Sequence, residues 1–190
     1  MNTFFAMLSR MKYIDRWGLM NNTKTENISE HSLETAILTH ALVSIANVRL
    51  GESLDADRAA VIALFHDAGE ILTGDMPTPV KYFNPEIRTA YKAVECVAQE
   101  KLLSMLPDDL RSVYRPVISG GDETLERYVK AADKLSALIK CIEEVRMGNR
   151  EFQKAKEATE AALAAMELPA LDIFIRECLP AYYLTLDELG

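Results

Sequence analysis

The sequence predicts an all-α protein, folded as a single helical bundle that spans residues 1–190. Apolar residues recur at spacings of three and four along most long segments, which is the period of an amphipathic helix. Glycines and prolines fall between these segments, where they end one helix and precede the next. The sequence has no alternation of strand and helix patterns, no internal repeat and no linker long enough to separate domains.

The first half of the chain gives three helical segments and one irregular stretch. Residues 3–11 carry an apolar stripe, and Ser29 is a candidate N-cap for a long helix that runs to residue 47. An aspartate at 55 or 57 can cap the next helix, which runs into His66 and Asp67. The glycines at 69 and 74 mark a break or a short turn of helix between them, and the prolines of residues 75–79 exclude regular helix.

The second half of the chain is expected to be helical almost throughout. Asn84 and Pro85 begin a long segment, and Gly148 occupies the position that follows a helix end, where glycine is favoured. The expected helices cover 85–105, 107–120, 122 or 124 to 148, 151–166, and a last segment from 169 onward.

Composition limits the partners of this chain. Hydrophobic residues make up 49% and charged residues 26%, the ordinary mix of a soluble globular protein. The net charge of −8 disfavours a nucleic-acid polymer, because binding its phosphate backbone requires clustered lysine and arginine. A single nucleotide remains compatible with this charge. No apolar run approaches the roughly 18 residues of a membrane span, so no membrane partner is expected.

The three cysteines indicate a reducing compartment. Cys96, Cys141 and Cys178 are odd in number and far apart within helical segments, so they predict reduced, half-buried thiols rather than disulfides. Residues 1–17 carry basic residues after a short apolar stretch, without the order of a signal peptide. We therefore expect a cytoplasmic protein.

The pair His66-Asp67 is the most informative stretch for chemistry. His31 lies upstream of it and Asp133 downstream. Two imidazoles and two carboxylates form a mixed nitrogen and oxygen ligand set suited to a divalent transition metal. A metal held in this way can make a water molecule nucleophilic at neutral pH. An isolated His-Asp pair is more often a buried histidine satisfied by a carboxylate than a pair of metal ligands. The presence of His31 and Asp133 reverses that preference and favours the metal site.

The two outer residues each have a plainer interpretation. His31 falls in the first turn of its helix, where it could face solvent. Asp133 lies on the apolar side of a helix, where a carboxylate is costly unless it is paired or binds a metal. A salt bridge to Lys130, Lys134 or Arg127 competes with the metal interpretation.

His40 is a useful control for the metal prediction. It lies nine residues after His31, which is the opposite face of a straight helix, so it is a poor candidate for the same ion. The chain has only three histidines. This scarcity favours one metal ion over a two-metal site.

At this point the residues carry a resemblance to a known family. The order and wide gaps of His31, His66, Asp67 and Asp133 resemble the ligand pattern of the HD-domain metal-dependent phosphohydrolases. The similarity is closer to the bacterial 5′-deoxynucleotidases of this superfamily, and it runs almost end to end. The segments that carry it are IDRW at 14–17, NNTKTENISEHS at 21–32, LTGDMPTPVKYFN at 72–84 and LTLDE at 184–188.

The resemblance implies an all-α HD domain and a homodimeric cytoplasmic enzyme that removes the 5′-phosphate from 2′-deoxyribonucleoside 5′-monophosphates. It implies one divalent transition metal ion per site, Co, Mn, Zn, Ni or Fe, held by His31, His66, Asp67 and Asp133. The residues that match catalytic positions are Glu70, Asp75 and Arg16. The residues that match substrate-binding positions are Arg16, Trp17, His31, Glu70, Asp75, Met76, Pro77, Thr78 and Asp133.

The resemblance also implies individual roles. Arg16 orients the phosphate, and its planar fork can match two phosphate oxygens where a lysine could not. Trp17 lies against the sugar, where a rigid indole could exclude a 2′-hydroxyl. Glu70 and Asp75 lie near the attacking water. Met76 stands where we expect leucine in relatives. Without the resemblance, Arg16 would be interpreted as a surface charge and Trp17 as a core residue.

Two other functions remain open from the sequence. One is another HD phosphohydrolase, acting on nucleoside triphosphates or cyclic nucleotides. The histidine count argues against a two-metal cyclic-nucleotide enzyme, and a triphosphate enzyme should carry more basic residues than Arg16 and Lys81. The other is a non-catalytic metal-binding helical module. Glu70 and Asp75 argue against it, because a structural site would not need carboxylates beyond its ligands.

Overall fold

Helices form every regular element of residues 1–81 and 83–190, the part of the chain that this computed structural model describes. The all-α prediction is therefore confirmed. Within that part, none of the helices is long and apolar enough to cross a membrane. The α-helices, in chain order, are α1 (Phe4–Leu8), α2 (Ile28–Leu50), α3 (Ala56–Phe65), α4 (Glu70–Thr73), α5 (Thr78–Lys81), α6 (Pro85–Ser104), α7 (Asp108–Ile118), α8 (Glu123–Arg146), α9 (Gln153–Ala164) and α10 (Pro169–Glu177). Short 3₁₀ turns cover Ser9–Tyr13, Arg150–Phe152, Leu179–Tyr183 and Leu186–Glu188.

The two longest helices, α2 and α8, form the centre of the larger apolar core. Helix α2 packs against α3, α8 and α10, and α8 packs against α9 as well. Leu42 of α2, Leu135 and Ile142 of α8 and Leu171 of α10 are fully buried there. Full burial of such a side chain contributes about 1.5–3 kcal/mol, so this pair of helices is a well-supported frame. That frame brings the N-terminal turn of α2 close to the middle of α8.

A smaller core lies beside the larger one and supports the turn that follows α3. Phe4 of α1 packs there with Leu102 and Leu103 of α6 and Ile118 of α7. Ala68, in the turn after α3, is fully buried in the same cluster. Because Ala68 is buried, the two residues before it are held in place as well.

Helix α2 begins earlier than the sequence suggested. Asn27 is its N-cap, not Ser29, and the Asn27 side chain accepts hydrogen bonds from the N–H groups of Ser29 and Glu30. Glu30 reaches back to the Asn27 backbone and completes a capping box. Asn27 rather than Ser29 is the cap because a β-bridge to Asp15 holds Asn27 in the extended conformation that a cap requires. The N–H of His31 consequently donates to the Asn27 carbonyl and is not available to an anion.

Two other boundaries differ from the prediction. Helix α3 ends at Phe65, one residue before His66, so His66 and Asp67 lie in a turn. The expectation of no regular helix over 75–79 is wrong at its end, because α5 begins at Thr78 and includes Pro79. Proline is tolerated in a first helical turn, since its missing N–H has no partner there in any case.

The cysteines are free thiols, as expected, but they differ in burial. Cys178 is half-buried as predicted, whereas Cys96 is exposed on α6 and Cys141 is buried in α8. Burial raises the pKa of Cys141 to about 12. That thiol is therefore protonated and unreactive at neutral pH.

Candidate active site

The four predicted metal ligands lie together where three elements meet. His31, fully buried, is on the first turn of α2, and Asp133 is in the middle of α8. His66 and Asp67 are in the turn after α3. Because α2 packs against both α3 and α8, residues far apart in the sequence converge on one point.

The ligand atoms are separated by distances that suit a bound ion. Nε2 of His31 lies 3.1 Å from Oδ1 of Asp133 and 3.5 Å from Oδ2 of Asp67. Nε2 of His66 lies 3.1 Å from that same Asp67 oxygen. Ligand atoms of His31, His66 and Asp133 all lie within 4.8 Å of one another. Metal–ligand bonds of about 2.1 Å place neighbouring ligand atoms roughly 3.0–3.5 Å apart.

Hydrogen bonds behind the two imidazoles fix which nitrogen faces the centre. Nδ1 of His66 lies 2.7 Å from the Ala63 carbonyl, which can only accept, so Nδ1 carries the proton. Nδ1 of His31 lies 3.1 Å from the Ser136 hydroxyl, which donates its one proton to Glu34 at 2.5 Å. His31 must therefore donate to Ser136. Both rings present an Nε2 lone pair to the carboxylates, and within the described chain Nε2 of His66 is buried without a hydrogen-bond partner.

Four acceptor groups that face one another require a positive charge between them. The carboxylates favour such a charge: burial alone lowers the pKa of His66, but Asp67 and Asp133 outweigh it and raise the pKa to about 9. In turn the histidines hold the pKa of Asp67 and Asp133 below the ordinary carboxyl range, although burial alone raises it. This donor set, with both rings oriented from behind, fits a divalent transition metal held by His31, His66, Asp67 and Asp133.

Arg16 reaches the same centre from the segment before α2. Its side chain is only 12% exposed, and Nη2 lies 4.0 Å from Oδ1 of Asp133. Nη1 donates to Oε2 of Glu26 at 3.0 Å, and the same oxygen accepts from Nε1 of Trp17 at 2.8 Å. Burial alone lowers the pKa of Arg16, but Glu26 and Asp133 outweigh it and raise the pKa. A charged guanidinium with several N–H groups beside a cation site suits an anionic ligand such as phosphate.

Two further carboxyl groups lie next to the ligand cluster. Glu70 begins α4, and Asp75 follows that helix. Burial, with the neighbouring Asp67 and Asp75, raises the pKa of Glu70 to about 9, and burial also raises the pKa of Asp75. Among the described residues, Oε2 of Glu70 is buried with no hydrogen-bond partner. A ligand or a water molecule can therefore take that position without displacing a protein group.

The predicted substrate-contacting loop lies between α4 and α5. Met76 and Pro77 are half-buried, and Thr78 is exposed at the start of α5. Across residues 1–81 and 83–190, no hydrogen bond or ion pair joins these three to the ligand cluster. Their contact with substrate stays a prediction.

The plainer interpretations of the ligand residues do not hold in this structure. His31 is fully buried rather than exposed to solvent. Asp133 pairs with His31 and Arg16 rather than with the basic residues of its own helix. His40 is exposed on the surface, 3.4 Å from Asp57 and outside the cluster, as expected of the control.

One face of α8 carries both a predicted metal ligand and the anchor of the N-terminal loop. Asp133, Ser136, Lys140 and Glu144 follow one another at spacings of three and four along it. Lys140 and Glu144 form an ion pair, with side chains 6% and 1% exposed. The Glu144 carboxylate also accepts hydrogen bonds from the backbone N–H groups of residues 23 and 24, at 2.9 and 3.2 Å. The loop before α2 is thereby tied to the helix that carries Asp133.

Three residues of this site were not predicted from the sequence. Ser136 had a signal, because it lies three residues after Asp133 on the same helical stripe. Glu34 had a similar one, three residues after His31. Glu26 had none beyond its place in the segment 21–32 that carries the resemblance, since its role depends on how residues 14–16 pair with residues 26–28.

Comparison with known proteins identifies close relatives along the whole chain. A family model described as 5′-deoxynucleotidase YfbR-like matches residues 3–182. The 5′-deoxynucleotidase YfbR of Shigella dysenteriae serotype 1 is 49% identical, and the match covers 98% of this chain and 95% of the relative. The 5′-deoxynucleotidase of Citrobacter koseri is 48% identical over the same shares of both chains.

Solved structures share the fold at lower identity. An HD-domain phosphohydrolase from Listeria innocua superposes with a TM-score of 0.83 at 22% identity, covering 95% of this chain and 88% of its own. The cyanophage S-2L HD phosphohydrolase DatZ, solved with dA and one catalytic Zn²⁺ ion, gives a TM-score of 0.68 at 18% identity, covering 95% and 96%. The fold is thus that of the HD-domain phosphohydrolases, and by its nearly full-length family match and its relatives at almost half identity the chain belongs to the 5′-deoxynucleotidase YfbR-like family.

Proposed function

We propose that this protein is a metal-dependent 5′-deoxynucleotidase, which hydrolyses 2′-deoxyribonucleoside 5′-monophosphates to deoxynucleoside and phosphate. One observation carries the proposal: two Nε2 lone pairs and two carboxylates converge on one point, and the Arg16 guanidinium lies 4.0 Å from one of those carboxylates. That arrangement can hold a cation and an anion side by side. The names of the relatives supply the substrate class.

The metal site consists of His31, His66, Asp67 and Asp133, and a divalent ion bound there would supply Lewis acidity toward a phosphate oxygen and toward water. Arg16 binds the phosphate on the side facing Asp133. Its planar guanidinium can donate two parallel hydrogen bonds to a phosphate that carries about two negative charges. Glu26 holds the far nitrogen of the same group, so the guanidinium is oriented before substrate arrives.

Glu70 and Asp75 are the residues that move protons. The buried Oε2 of Glu70 can accept a proton from the attacking water or donate one to the departing 5′-oxygen. Asp75 faces Arg16 and the Trp17 backbone, so it lies on the substrate side of the cluster. Met76, Pro77 and Thr78 complete the substrate contacts in this proposal.

Trp17 selects the sugar. Its indole, fixed by Glu26 and by packing on Phe152 at 5.3 Å between ring centroids, presents a rigid apolar surface. A 2′-hydroxyl left unpaired against such a surface costs on the order of 1–3 kcal/mol, which corresponds to roughly a tenfold to hundredfold preference for deoxyribose.

We also infer that the protein is a homodimer, and an exposed apolar stripe supports this. Leu33 and Ile37 of α2 are 56% and 62% exposed, and Val61 and Leu64 of the adjoining α3 are 40% and 39% exposed. Exposed apolar side chains grouped on two helices that pack together are typical of an interface. Ile37→Glu should convert a dimer to a monomer in sedimentation experiments, while Val113→Glu on α7 should not. A monomeric unsubstituted protein would refute the inference.

Two further assignments complete the proposal. We place the protein in the cytoplasm, where the free thiols of Cys96, Cys141 and Cys178 would stay reduced. We also treat residues 1–190 as one domain, because α2 and α8 contact helices from both halves of the chain.

Phosphate release from a substrate panel tests the activity. The panel contains matched 2′-deoxy and ribo 5′-monophosphates, a deoxynucleoside triphosphate and a cyclic nucleotide, each with added Mn²⁺, Co²⁺ or Zn²⁺ and with a chelator. We expect metal-dependent release from deoxynucleoside monophosphates above all. Equal rates on both sugars would remove the deoxy assignment, and preferred turnover of a triphosphate or cyclic nucleotide would remove the monophosphatase assignment. Turnover of none of them would leave a metal-binding module.

A further inference from the structure

One carboxylate oxygen joins the two side chains that face different parts of the substrate. Oε2 of Glu26 accepts a hydrogen bond from Nη1 of Arg16 at 3.0 Å and another from Nε1 of Trp17 at 2.8 Å. The side chains of Glu26 and Arg16 are 13% and 12% exposed, so water competes weakly for these bonds. Neither donor can move far without disturbing the other.

The backbone around Glu26 is built to hold this arrangement. The N–H of Arg16 donates to the Glu26 carbonyl at 2.8 Å, and the N–H of Ile28 donates to the Ile14 carbonyl at 3.0 Å. These bonds pair residues 14–16 with residues 26–28 just before α2 begins. The segment with the two donors is therefore fixed to the segment with their acceptor.

Trp17 adopts a backbone conformation that needs such support. Its φ is +62°, in the left-handed region that L-amino acids other than asparagine and aspartate rarely occupy. In this conformation the indole N–H donates to Glu26, while the ring packs on the fully buried Phe152. Strained backbone of this kind persists only where the surroundings over-determine it.

We infer that Glu26 is a positioning residue that couples phosphate recognition by Arg16 to sugar recognition by Trp17. This inference rests on the proposed function. Because one oxygen serves both donors, a phosphate that draws Arg16 toward the metal ligands also changes the bond that orients Trp17. The selectivity of Trp17 for deoxyribose then depends on how the phosphate is seated against Arg16.

The single tryptophan of the chain gives a direct readout. Trp17 is the only one, so intrinsic fluorescence reports on this residue alone. The experiment titrates inorganic phosphate into Zn²⁺-loaded protein and follows the Trp17 emission; Zn²⁺ has a filled d shell and does not quench by redox chemistry. We expect phosphate to shift the emission of the unsubstituted protein and of Glu26→Gln, whose amide oxygen can still accept both bonds. Glu26→Ala should lose the shift.

Steady-state kinetics provide the second readout. The ratio of kcat/KM for deoxy over ribo monophosphates should fall about fivefold in Glu26→Ala, the effect of one ordinary hydrogen bond, and remain near the unsubstituted value in Glu26→Gln. Trp17→Phe removes the indole donor of the same bond together with part of the ring surface, so it should lower the ratio at least as far as Glu26→Ala does. Glu143→Gln is the matched control, because Glu143 is an exposed carboxylate on the same cavity as Glu26 and its loss leaves both bonds intact.

The outcomes separate this inference from the proposed function. If Glu26→Ala loses activity equally on both sugars and still shows the phosphate-induced shift, Glu26 only stabilises the loop and the coupling is wrong. An unchanged sugar ratio in Trp17→Phe would also overturn it, and this test stands even if Glu26→Ala does not fold. If the unsubstituted protein releases no phosphate, the proposed activity fails, while the fluorescence comparison still decides whether Glu26 links Arg16 to Trp17.

Discussion

Oγ of Ser136 lies 3.1 Å from Nδ1 of His31 and thereby determines which nitrogen of that ring faces the metal ligands. The hydroxyl proton goes to Glu34, so His31 must donate to Ser136 and carries its lone pair on Nε2. Partners of this kind, one bond away from a metal ligand, raise ligand basicity and hold the ring in place.

Replacement of Ser136 by alanine should weaken metal binding without changing the ligands. We expect the affinity for Zn²⁺ or Mn²⁺ to fall about 10- to 100-fold, because the His31 ring loses its partner. Competition with a chelator of known affinity measures this. Ser112→Ala, on the exposed face of α7, is the matched control and should bind metal normally. Equal affinities in the two variants would mean that Ser136 only fills space.

Glu70→Ala should separate catalysis from metal binding. The variant should keep its metal, because Glu70 is not among the four ligands, and lose about 10²- to 10⁴-fold in kcat, the usual contribution of a group that transfers protons. Metal content by mass spectrometry and phosphate release are measured on the same preparation. Glu86→Ala, exposed in the first turn of α6, should match the unsubstituted protein. If metal content fell with the rate, Glu70 would have to be counted as a ligand.

Arg16→Lys should lower activity strongly, although the substitution keeps the positive charge. A lysine ammonium cannot bond Glu26 and still offer a planar pair of donors to phosphate. We expect kcat/KM to fall about 100-fold or more, as when one aligned donor to a reacting anion is lost. Arg150→Lys makes the same change at an exposed position and should leave the kinetics unaltered. Near-normal kinetics for Arg16→Lys would show that Arg16 does not touch phosphate.

The Lys140–Glu144 ion pair should make an acid-sensitive contribution to stability. Glu144→Gln leaves a buried lysine without its carboxylate, so we expect the free energy of unfolding at pH 7 to fall by about 3 kcal/mol. Urea denaturation measures this change. Glu160→Gln removes an exposed partner at the same spacing, Lys156–Glu160, and should cost well under about 1 kcal/mol.

The pH dependence of that contribution has a definite sign. Burial alone raises the pKa of Glu144, but Lys140, Asn149 and the Thr23 N–H outweigh it and hold the pKa well below its ordinary value. A carboxyl with a lower pKa in the folded state stabilises the fold above its unfolded pKa of about 4.3 and loses that effect progressively below it. The difference between the unsubstituted protein and Glu144→Gln should therefore shrink on acidification from pH 6 toward pH 3. A constant difference would contradict this assignment.

The fold and the ligand cluster were accessible from the sequence for different reasons. Helical periodicity is a local property, so the long helices could be predicted within a few residues. Asn27 and Ser29 are both good caps, and only the bridge to Asp15 decides between them, which no local pattern encodes. Asp133 was found because a carboxylate on the apolar side of a helix is costly unless it is paired or binds a metal, and His31 because a second imidazole completes a ligand set with His66 and Asp67.

The supporting residues could not be predicted in the same way. Glu26 accepts from Arg16 because residues 14–16 pair with residues 26–28 before α2 begins. A glutamate in a polar segment gives no sign of such a contact in the sequence. The i,i+4 spacing of Lys140 and Glu144 is typical of an exposed ion pair on a helix. In the structure the loop before α2 covers this pair, and the N–H of Thr23 donates to Glu144. Pro79 illustrates the opposite error, because a residue that ends helices also fits their first turn.

Asp133, Ser136 and Glu144 lie on one face of α8, so the number of residues between them determines how the candidate site and the loop before α2 are placed relative to each other. An inserted or deleted residue between Ser136 and Glu144 would rotate everything beyond it by about 100°, while the helix itself would persist. Asp133 would remain in the ligand cluster, but the loop that carries Arg16 would be anchored on a different side. Evolution that preserves activity can therefore substitute the residues that lie between these positions, whereas insertions and deletions must fall elsewhere in the chain.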